Sequence, residues 1–224
     1  MAGQTTAGRR APGRQARLSR EKIIDQALAL LEELPVEDLT MTRIAERLGT
    51  TTMALYKYFP NRDALLGAVA EHIFSLFDPS MPAGGTWQER LLGWLLALQQ
   101  HLERYPAMLK LAGWEGRLSG AWIRVLASVA QLLEERGLSG ERLAFVLVWF
   151  MSSAVGLMRT EPESWAYRQS YSLAALDQLG PKEQQLFVQL LPHLPNTDRV
   201  EVTAFGLRQL VATLERILET GAVP

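Results

Sequence analysis

Cysteine is absent from this 224-residue chain, and its acidic and basic side chains almost cancel to a formal net charge of −1. Without cysteine the protein can form neither a disulfide framework nor a zinc site made of thiolates, which suits a reducing compartment. The basic residues near the N-terminus are followed by no apolar run, so they do not form a secretory signal. The sequence therefore predicts a cytoplasmic protein.

Motifs that are typical of enzymes are also missing. The chain contains no glycine-rich phosphate loop, no GxSxG elbow and no HExxH helix, which are local patterns that hold phosphates, a serine nucleophile or a catalytic zinc ion. Its three histidines, His72, His101 and His193, do not have the spacing of metal ligands. We predict that the protein is not an enzyme and has no metal site and no cofactor.

Long apolar runs and alternating strand patterns are scarce. The longest apolar stretch, Leu143 to Met158, is shorter than the about 20 residues of a membrane span and contains Ser152 and Ser153. We therefore expect no membrane partner. Elsewhere the apolar residues recur at spacings of three and four, which is the period of amphipathic helices. The sequence predicts an all-α protein.

Capping residues and helix breakers divide the N-terminal part of the chain. Ser19 is a favourable N-cap for a first helix, and Thr40 can cap a short second helix. Gly49 supplies the break before a third helix. Asn61 can cap a fourth helix that runs toward Phe77, where PSMPAGG interrupts the chain. We expect a domain boundary at this interruption or within the fourth helix.

The rest of the chain is long enough for a larger helical domain. Thr86 and Glu89 have the spacing of a capping box that opens a long helix. The less regular segments at 161–171 and 192–196 are predicted to include loops. Further helices are predicted from about Ala107 and over 120–136, 141–159, 181–191 and 198–219.

The third helix, within GTTTMALYKYF at residues 49–59, has two chemically different faces. At about 100° per residue, Leu55 and Phe59 fall on one side. Met53, Tyr56 and Lys57 fall on the other, and a helix that only fills space rarely shows such side chains to solvent. Two short helices joined at a glycine form a helix-turn-helix, whose second helix can enter the major groove of DNA.

The stretch LTMTRIAERLGTTTMALYKYFPNRDALL resembles the N-terminal DNA-binding domain of the tetracycline-repressor (TetR) family. The elements LT, IA, LG, ALY, F and the basic-x-ALL step occur in order between residues 20 and 70. A weaker similarity, in FGLRQLVATLE at 205–215, is to the last helix of the tetracycline-repressor subgroup. Met53 departs from the family, because many members carry a smaller residue there. The resemblance implies base contacts from Thr42, Thr52, Met53 and Tyr56, and phosphate contacts from Thr51, Lys57, Tyr58 and Arg62.

The resemblance also implies what the two domains do. Family members are homodimers that bind a near-palindromic double-stranded DNA operator, usually repress transcription, and release the operator when a small-molecule inducer enters the C-terminal domain. The chain is accordingly expected to comprise a basic flexible arm at 1–18, a helix-turn-helix DNA-binding domain at 19–77 and a ligand-binding and dimerisation domain at 78–224.

Two helices of the larger domain are candidates for the dimer interface. The helix at 141–159 is apolar all round and carries small residues, and the helix at 198–219 pairs large apolar residues with Ala204 and Gly206. Such helices suit a four-helix interface built from two helices of each subunit. Burial in the core of a single subunit is the alternative, since it produces the same pattern.

Large, adaptable and amphipathic side chains are frequent in the larger domain, which suits an apolar cavity with a few polar anchors. Ordinary core packing is the alternative for each of them. We expect an apolar or aromatic inducer. Its predicted lining is Trp94, His101, Met108, Trp114, Trp149 and Met158.

Two further alternatives remain open from the sequence. An architectural DNA-binding protein without an effector would share the N-terminal domain but have a filled C-terminal core. The first 20 residues carry five arginines and no acid, so this arm can either approach phosphates through counterion release or remain a solvated tail.

Overall fold

The computed structural model describes residues 18–111, 120–158, 176 and 178–221. All regular secondary structure in these ranges is helical, which confirms the all-α prediction. The chain forms two compact units that divide between Val69 and Ala70. Trp114 and the segment at 161–171 lie outside the described residues.

The N-terminal unit begins with three helices: α1 (Arg20–Glu33), α2 (Met41–Arg47) and α3 (Thr52–Tyr56). A short 3-10 turn (Val36–Asp38) lies between α1 and α2 and was not predicted by the periodicity. The helix α4 (Arg62–Ser75) follows and includes the division between the two units.

Side-chain caps open these helices as the sequence predicts. The hydroxyl of Ser19 accepts a hydrogen bond from the amide of Lys22, and the hydroxyl of Thr40 accepts one from Arg43. Asn61 accepts a hydrogen bond from the amide of Ala64 at 2.7 Å. Each cap satisfies an amide that has no partner within its helix.

The core of the N-terminal unit is formed by side chains of α1, α2 and α3. α1 packs on α2, and α2 packs on α3. Ile23 of α1, Ile44 of α2 and Leu55 of α3 are completely buried, as is Phe59 after α3. Burial of such a side chain stabilises the fold by about 1.5–3 kcal/mol, so this core fixes the direction in which α3 presents its other face.

The C-terminal unit is built from longer helices. α10 (Arg199–Thr220) packs on α5 (Trp87–Arg104) and on α8 (Gly140–Met158), and α7 (Gly120–Glu135) packs on α8. The predicted capping box at Thr86 and Glu89 is present at the start of α5. The helices of this unit after α4 are α5 (Trp87–Arg104), α6 (Ala107–Leu111), α7 (Gly120–Glu135), α8 (Gly140–Met158), α9 (Pro181–Leu190) and α10 (Arg199–Thr220).

The helix α8 is 19 residues long and, alone among the described helices, is apolar enough to cross a membrane by length and composition. It begins three residues before the apolar stretch at Leu143, so its length alone does not exclude a span. A core helix meets the same two criteria. Val146, Phe150 and Ala154 of α8 are buried within the protein, while 28% of the apolar window of this helix is buried in total.

Candidate DNA-binding surface and ligand-binding region

The turn between α2 and α3 requires a glycine. Gly49 has φ = 62°, a left-handed conformation that glycine adopts without a steric penalty. The amide of Thr50 then donates to the carbonyl of Ala45 at 2.9 Å. Thr51 caps α3, since its hydroxyl accepts a hydrogen bond from the amide of Ala54. The turn therefore starts α3 immediately after α2 and forms a helix-turn-helix.

The face of α3 opposite Leu55 is exposed. Met53 is 72% exposed and Tyr56 is 46% exposed, although large apolar and aromatic side chains are usually at least partly covered. Thr42 on α2 and Lys57 at the end of α3 are also exposed. Thr52 is partly buried. The structure thus places the predicted base-contacting residues of α3 at or beside one solvent-facing surface.

Tyr58 has an intramolecular partner that sequence reasoning missed. Its hydroxyl donates to the carbonyl of Leu18 at 2.8 Å. Arg20 donates from Nη1 to the carbonyl of Tyr58 at 3.2 Å, and its guanidinium lies 4.3 Å from the centre of the Phe59 ring. These contacts fasten the start of α1, and Leu18 two residues before it, to the end of α3.

Arg62 is held by backbone carbonyls of the α1–α2 connection. Its Nε donates to Leu39 at 2.5 Å, and its Nη2 donates to Val36. The side chain is only 26% exposed, and Nη1 lies 3.9 Å from the carboxylate of Asp63. These contacts compete with the phosphate contact that the resemblance implies, so a structural role suits this guanidinium better.

In the C-terminal unit, two of the predicted ligand-binding residues belong to one aromatic cluster. The ring of Phe77 lies 5.7 Å from Trp94 and 5.4 Å from His101 between centroids. The ring of Tyr105 lies 5.0 Å from His101. The indole of Trp94 donates to the carbonyl of Pro79 at 2.8 Å, so its polar atom is satisfied within the protein.

His101 is a partly buried member of this cluster. Its Nε2 lies 2.9 Å from the carbonyl oxygen of Ile73, so the neutral ring donates its proton there. Burial lowers the pKa of His101 below its ordinary value, and the nearby charge of Arg104 lowers it further, whereas the hydrogen bond to Ile73 acts in the opposite direction. His101 is therefore a neutral hydrogen-bond donor near pH 7.

Among the other predicted ligand-binding residues that the structure describes, none has a ring contact with this cluster. Met108 on α6 and Met158 at the end of α8 are buried. Trp149 is partly buried, with its ring 6.3 Å from that of Phe150. Trp94 and Met108 are buried, whereas His101 is partly buried.

A cavity of about 300 Å³ lies elsewhere in the C-terminal unit, and of the predicted ligand-binding residues that the structure describes, none lines it. Within the described ranges, no group of three or more histidine, aspartate and glutamate side chains could hold a metal ion. The cavity is lined by the loop 79–81, by Arg90 of α5, and by Ser128, Gln131, Leu132 and Glu135 of α7.

Two protein-family models match the chain in the order of its two units. Residues 23–69 match "Bacterial regulatory proteins, tetR family", and residues 79–218 match "Tetracyclin repressor-like, C-terminal domain". The second match alone covers more than half of the chain. The order of the two matches, with the helix-turn-helix unit before the helical C-terminal unit, is that of a DNA-binding transcriptional regulator. This chain belongs to the TetR family of bacterial regulators.

Individual relatives agree with this assignment. The tetracycline repressor protein class D of Escherichia coli is 40% identical over 92 residues, which are 40% of this chain and 42% of that protein. The alignment thus spans less than half the length of this curated relative. The DrrR1 repressor of Streptomyces coeruleorubidus is 24% identical over 157 residues, covering 70% of this chain and 58% of that protein.

Solved structures share the fold over nearly the whole chain. TetR from Acinetobacter baumannii AYE has 25% identity and a TM-score of 0.66, with 90% of this chain and 99% of that one covered. A variant of that protein in complex with minocycline has 23% identity and a TM-score of 0.65, covering 92% and 98%. ActR of Streptomyces coelicolor in complex with (S)-DNPA has 21% identity and a TM-score of 0.71, covering 93% and 100%.

Proposed function

We propose that the protein is a homodimeric repressor that binds a near-palindromic operator and releases it when a small molecule binds the C-terminal unit. The observation that carries this proposal is the solvent-facing surface of α3, where Met53 and Tyr56 are exposed beside Lys57. A side chain as apolar as Met53 gains little from water, whereas its thioether can contact the methyl group of thymine in the major groove.

The surface divides into residues that read bases and residues that bind phosphates. Met53, Tyr56, Thr52 and Thr42 are proposed to contact base edges. Lys57 is proposed to bind a phosphate, because its ammonium is exposed at the end of α3. Such phosphate contacts position the protein but carry no direct sequence information.

Thr51 and Tyr58 differ in whether their hydroxyl groups can donate to a phosphate while keeping their present partners. The Thr51 hydroxyl accepts its capping hydrogen bond from Ala54 and so keeps its own proton for a phosphate oxygen. The Tyr58 hydroxyl donates its proton to the carbonyl of Leu18. Its proposed role is therefore to align the backbone at the end of α3. For Arg62 we propose the structural role given by its two carbonyl partners.

The proposed dimer interface consists of one face of α8 and one face of α10. On α8, Phe145, Val148 and Ser152 are exposed at spacings of three and four, and Val148 is 65% exposed. On α10, Val202 and Phe205 are exposed at a spacing of three, and Phe205 is 57% exposed. Residues at these spacings share one side of a helix.

Burial of α8 and α10 in a single subunit does not account for these exposed faces. Each helix already buries a different face, with Phe150 on α8 and Leu207 on α10. The two helices approach closely, because a Cβ added at Gly206 would lie 2.9 Å from Leu157. A second subunit would cover the remaining apolar faces, as in other isologous helical interfaces.

The proposed inducer is an apolar or aromatic small molecule that binds near the cluster of Phe77, Trp94, His101 and Tyr105. The related structures with minocycline and (S)-DNPA support a ligand of this kind. The ligand must bind the DNA-released shape more tightly than the DNA-bound shape, since only such a difference can shift the equilibrium. A coupling free energy of about 1–3 kcal/mol would weaken operator binding roughly 5- to 150-fold.

Selection of bound duplexes from a random DNA pool tests the DNA-binding part of the proposal. We expect recovered sites with two-fold symmetry and half-sites about 34–36 Å apart, or a multiple of that distance. Binding of one subunit to an asymmetric site would contradict it. The recovered duplex then serves to screen hydrophobic compounds, beginning with minocycline, for release of DNA.

The screen also separates the repressor from an architectural DNA-binding protein. Three of the proposed lining residues are tryptophans, Trp94, Trp114 and Trp149, so intrinsic fluorescence should report a ligand. Operator DNA must weaken that ligand by the same factor by which the ligand weakens DNA. If no compound changes the fluorescence or releases the duplex, the architectural alternative is the better description.

A further inference from the structure

The loop that forms one wall of the 300 Å³ cavity is fastened to α5 at two points. Trp94 donates from Nε1 to the carbonyl of Pro79 at 2.8 Å, and Arg90 donates from Nε to the carbonyl of Pro82 at 2.9 Å. The two donors are four residues apart and therefore lie on one face of the helix. The carboxylate of Asp78 also accepts the amide of Ser80 at 3.0 Å. This wall is consequently formed before any ligand arrives.

Arg90 brings an unpaired charge to the cavity. Its Nε is occupied by Pro82, whereas no carboxylate in the described part of the chain forms an ion pair with its guanidinium. The side chain is partly buried, so its charge is less well hydrated than that of a fully exposed arginine. The two terminal nitrogens of a guanidinium match the two oxygens of a carboxylate.

The remaining lining is mixed in polarity. Leu132 is buried and contributes an apolar patch, Met81 is partly buried, and Gln131 can donate from its amide group. Glu135 is also part of the lining and would repel a second negative charge. A volume of about 300 Å³ lies at the lower end of the range for small-molecule sites.

We infer that this cavity is a second small-molecule site, which takes a small organic monocarboxylate with its anionic group on Arg90 and its apolar body against Leu132. The site is distinct from the cluster of Phe77, Trp94 and His101. It does not depend on the proposed DNA binding or on the proposed inducer. Two ligands could therefore bind one subunit independently.

Benzoate and benzamide form a matched pair of probes, because they share a ring and differ in charge. Their binding to the full-length protein can be measured by isothermal titration calorimetry and by the NMR shift of the Arg90 Nε–H signal. We expect saturable benzoate binding that shifts this signal, and benzamide binding that is about tenfold weaker or more, since charge-assisted hydrogen bonds are the stronger kind. Absence of benzoate binding, or equal binding of both probes, would overturn the inference.

Variants locate the site independently of the probe pair. Arg90→Gln should weaken benzoate about tenfold or more and benzamide much less, whereas Arg208→Gln, at an exposed position on α10, should leave both unchanged. Ser128→Phe should fill the cavity and abolish binding of both probes, with the helical circular dichroism retained as a check of folding. Unchanged benzoate affinity in Arg90→Gln, or in folded Ser128→Phe, would place the binding elsewhere and refute the site.

Discussion

The Nε atom of Arg62 donates a hydrogen bond to the carbonyl oxygen of Leu39, with 2.5 Å between the two atoms. A second donor of the same guanidinium bonds the carbonyl of Val36. Arg62 opens α4, Val36 opens the 3-10 turn that connects α1 to α2, and Leu39 follows that turn. The guanidinium thereby links the start of α4 to two backbone acceptors of this connection.

Arg62→Gln should destabilise the N-terminal unit by about 1–2 kcal/mol, because partly buried carbonyls lose charged donors. Native-state hydrogen exchange of the amides in α1 and α2 measures this loss. The matched control is Arg47→Gln, which removes an exposed ion pair with Glu33 and should cost less than about 1 kcal/mol. Unchanged hydrogen exchange in Arg62→Gln, together with weaker binding to every DNA sequence, would instead support the phosphate contact that the resemblance implies.

Lys57→Ala should weaken binding to all DNA sequences alike and reduce the slope of log affinity against log salt concentration by about one. The physical reason is that an exposed ammonium on a phosphate displaces one condensed counterion. Fluorescence anisotropy with the selected operator and with an unrelated duplex, at several salt concentrations, measures both effects. A loss of affinity for the operator alone, with unchanged affinity for the unrelated duplex, would contradict the assignment of Lys57 to a phosphate.

Met53→Ala should change which bases are preferred, while the salt dependence stays that of the unaltered protein. The thioether is exposed in the free protein, so its truncation should cost little stability and act through lost apolar contacts with base edges. Repeating the DNA selection with the variant measures the change. If the selected sequences and the affinity are the same, the outer face of α3 does not read DNA through Met53.

Phe205→Asp should convert the proposed dimer into monomers, because it places a charge in the middle of an apolar interface. Sedimentation velocity over a range of protein concentrations measures the shift in the association equilibrium. Ile123→Asp on α7 is a suitable control, since Ile123 is similarly exposed but lies outside α8 and α10. If the dimer persists in Phe205→Asp and dissociates in Ile123→Asp, the interface lies on a different face from the one proposed.

The stability of the C-terminal unit should fall as the pH is lowered through the ordinary histidine pKa of 6.5. The folded pKa of His101 lies below that value, so the unfolded chain takes up the proton first and is favoured. The loss of stability begins near pH 6.5 and levels off at pH values below the pKa of His101 in the folded protein. Urea unfolding between pH 8 and 5.5 should show this slope in the natural sequence and less of it in His101→Gln. Equal slopes would assign the effect to other groups.

The helices and their starting points could be predicted from the sequence because they depend on neighbouring residues. Ser19, Thr40, Asn61 and Thr86 are caps that act on amides three residues away. The inner and outer faces of α3 follow from the helical period, which puts Leu55 in the core and Met53 in solvent. These features do not depend on contacts between distant segments of the chain.

The roles of individual polar groups were decided only by the tertiary structure. Tyr58 bonds a carbonyl 40 residues earlier, Arg62 bonds carbonyls 23 and 26 residues earlier, and His101 bonds one 28 residues earlier. No local spacing encodes such partners, since they depend on which backbone carbonyls packing brings within reach of a donor. The same holds for the cavity beside Arg90, whose walls come from a loop and two helices. Helical period and capping therefore determined the elements and the face of α3, and packing between distant segments determined which side chains remain available for a ligand.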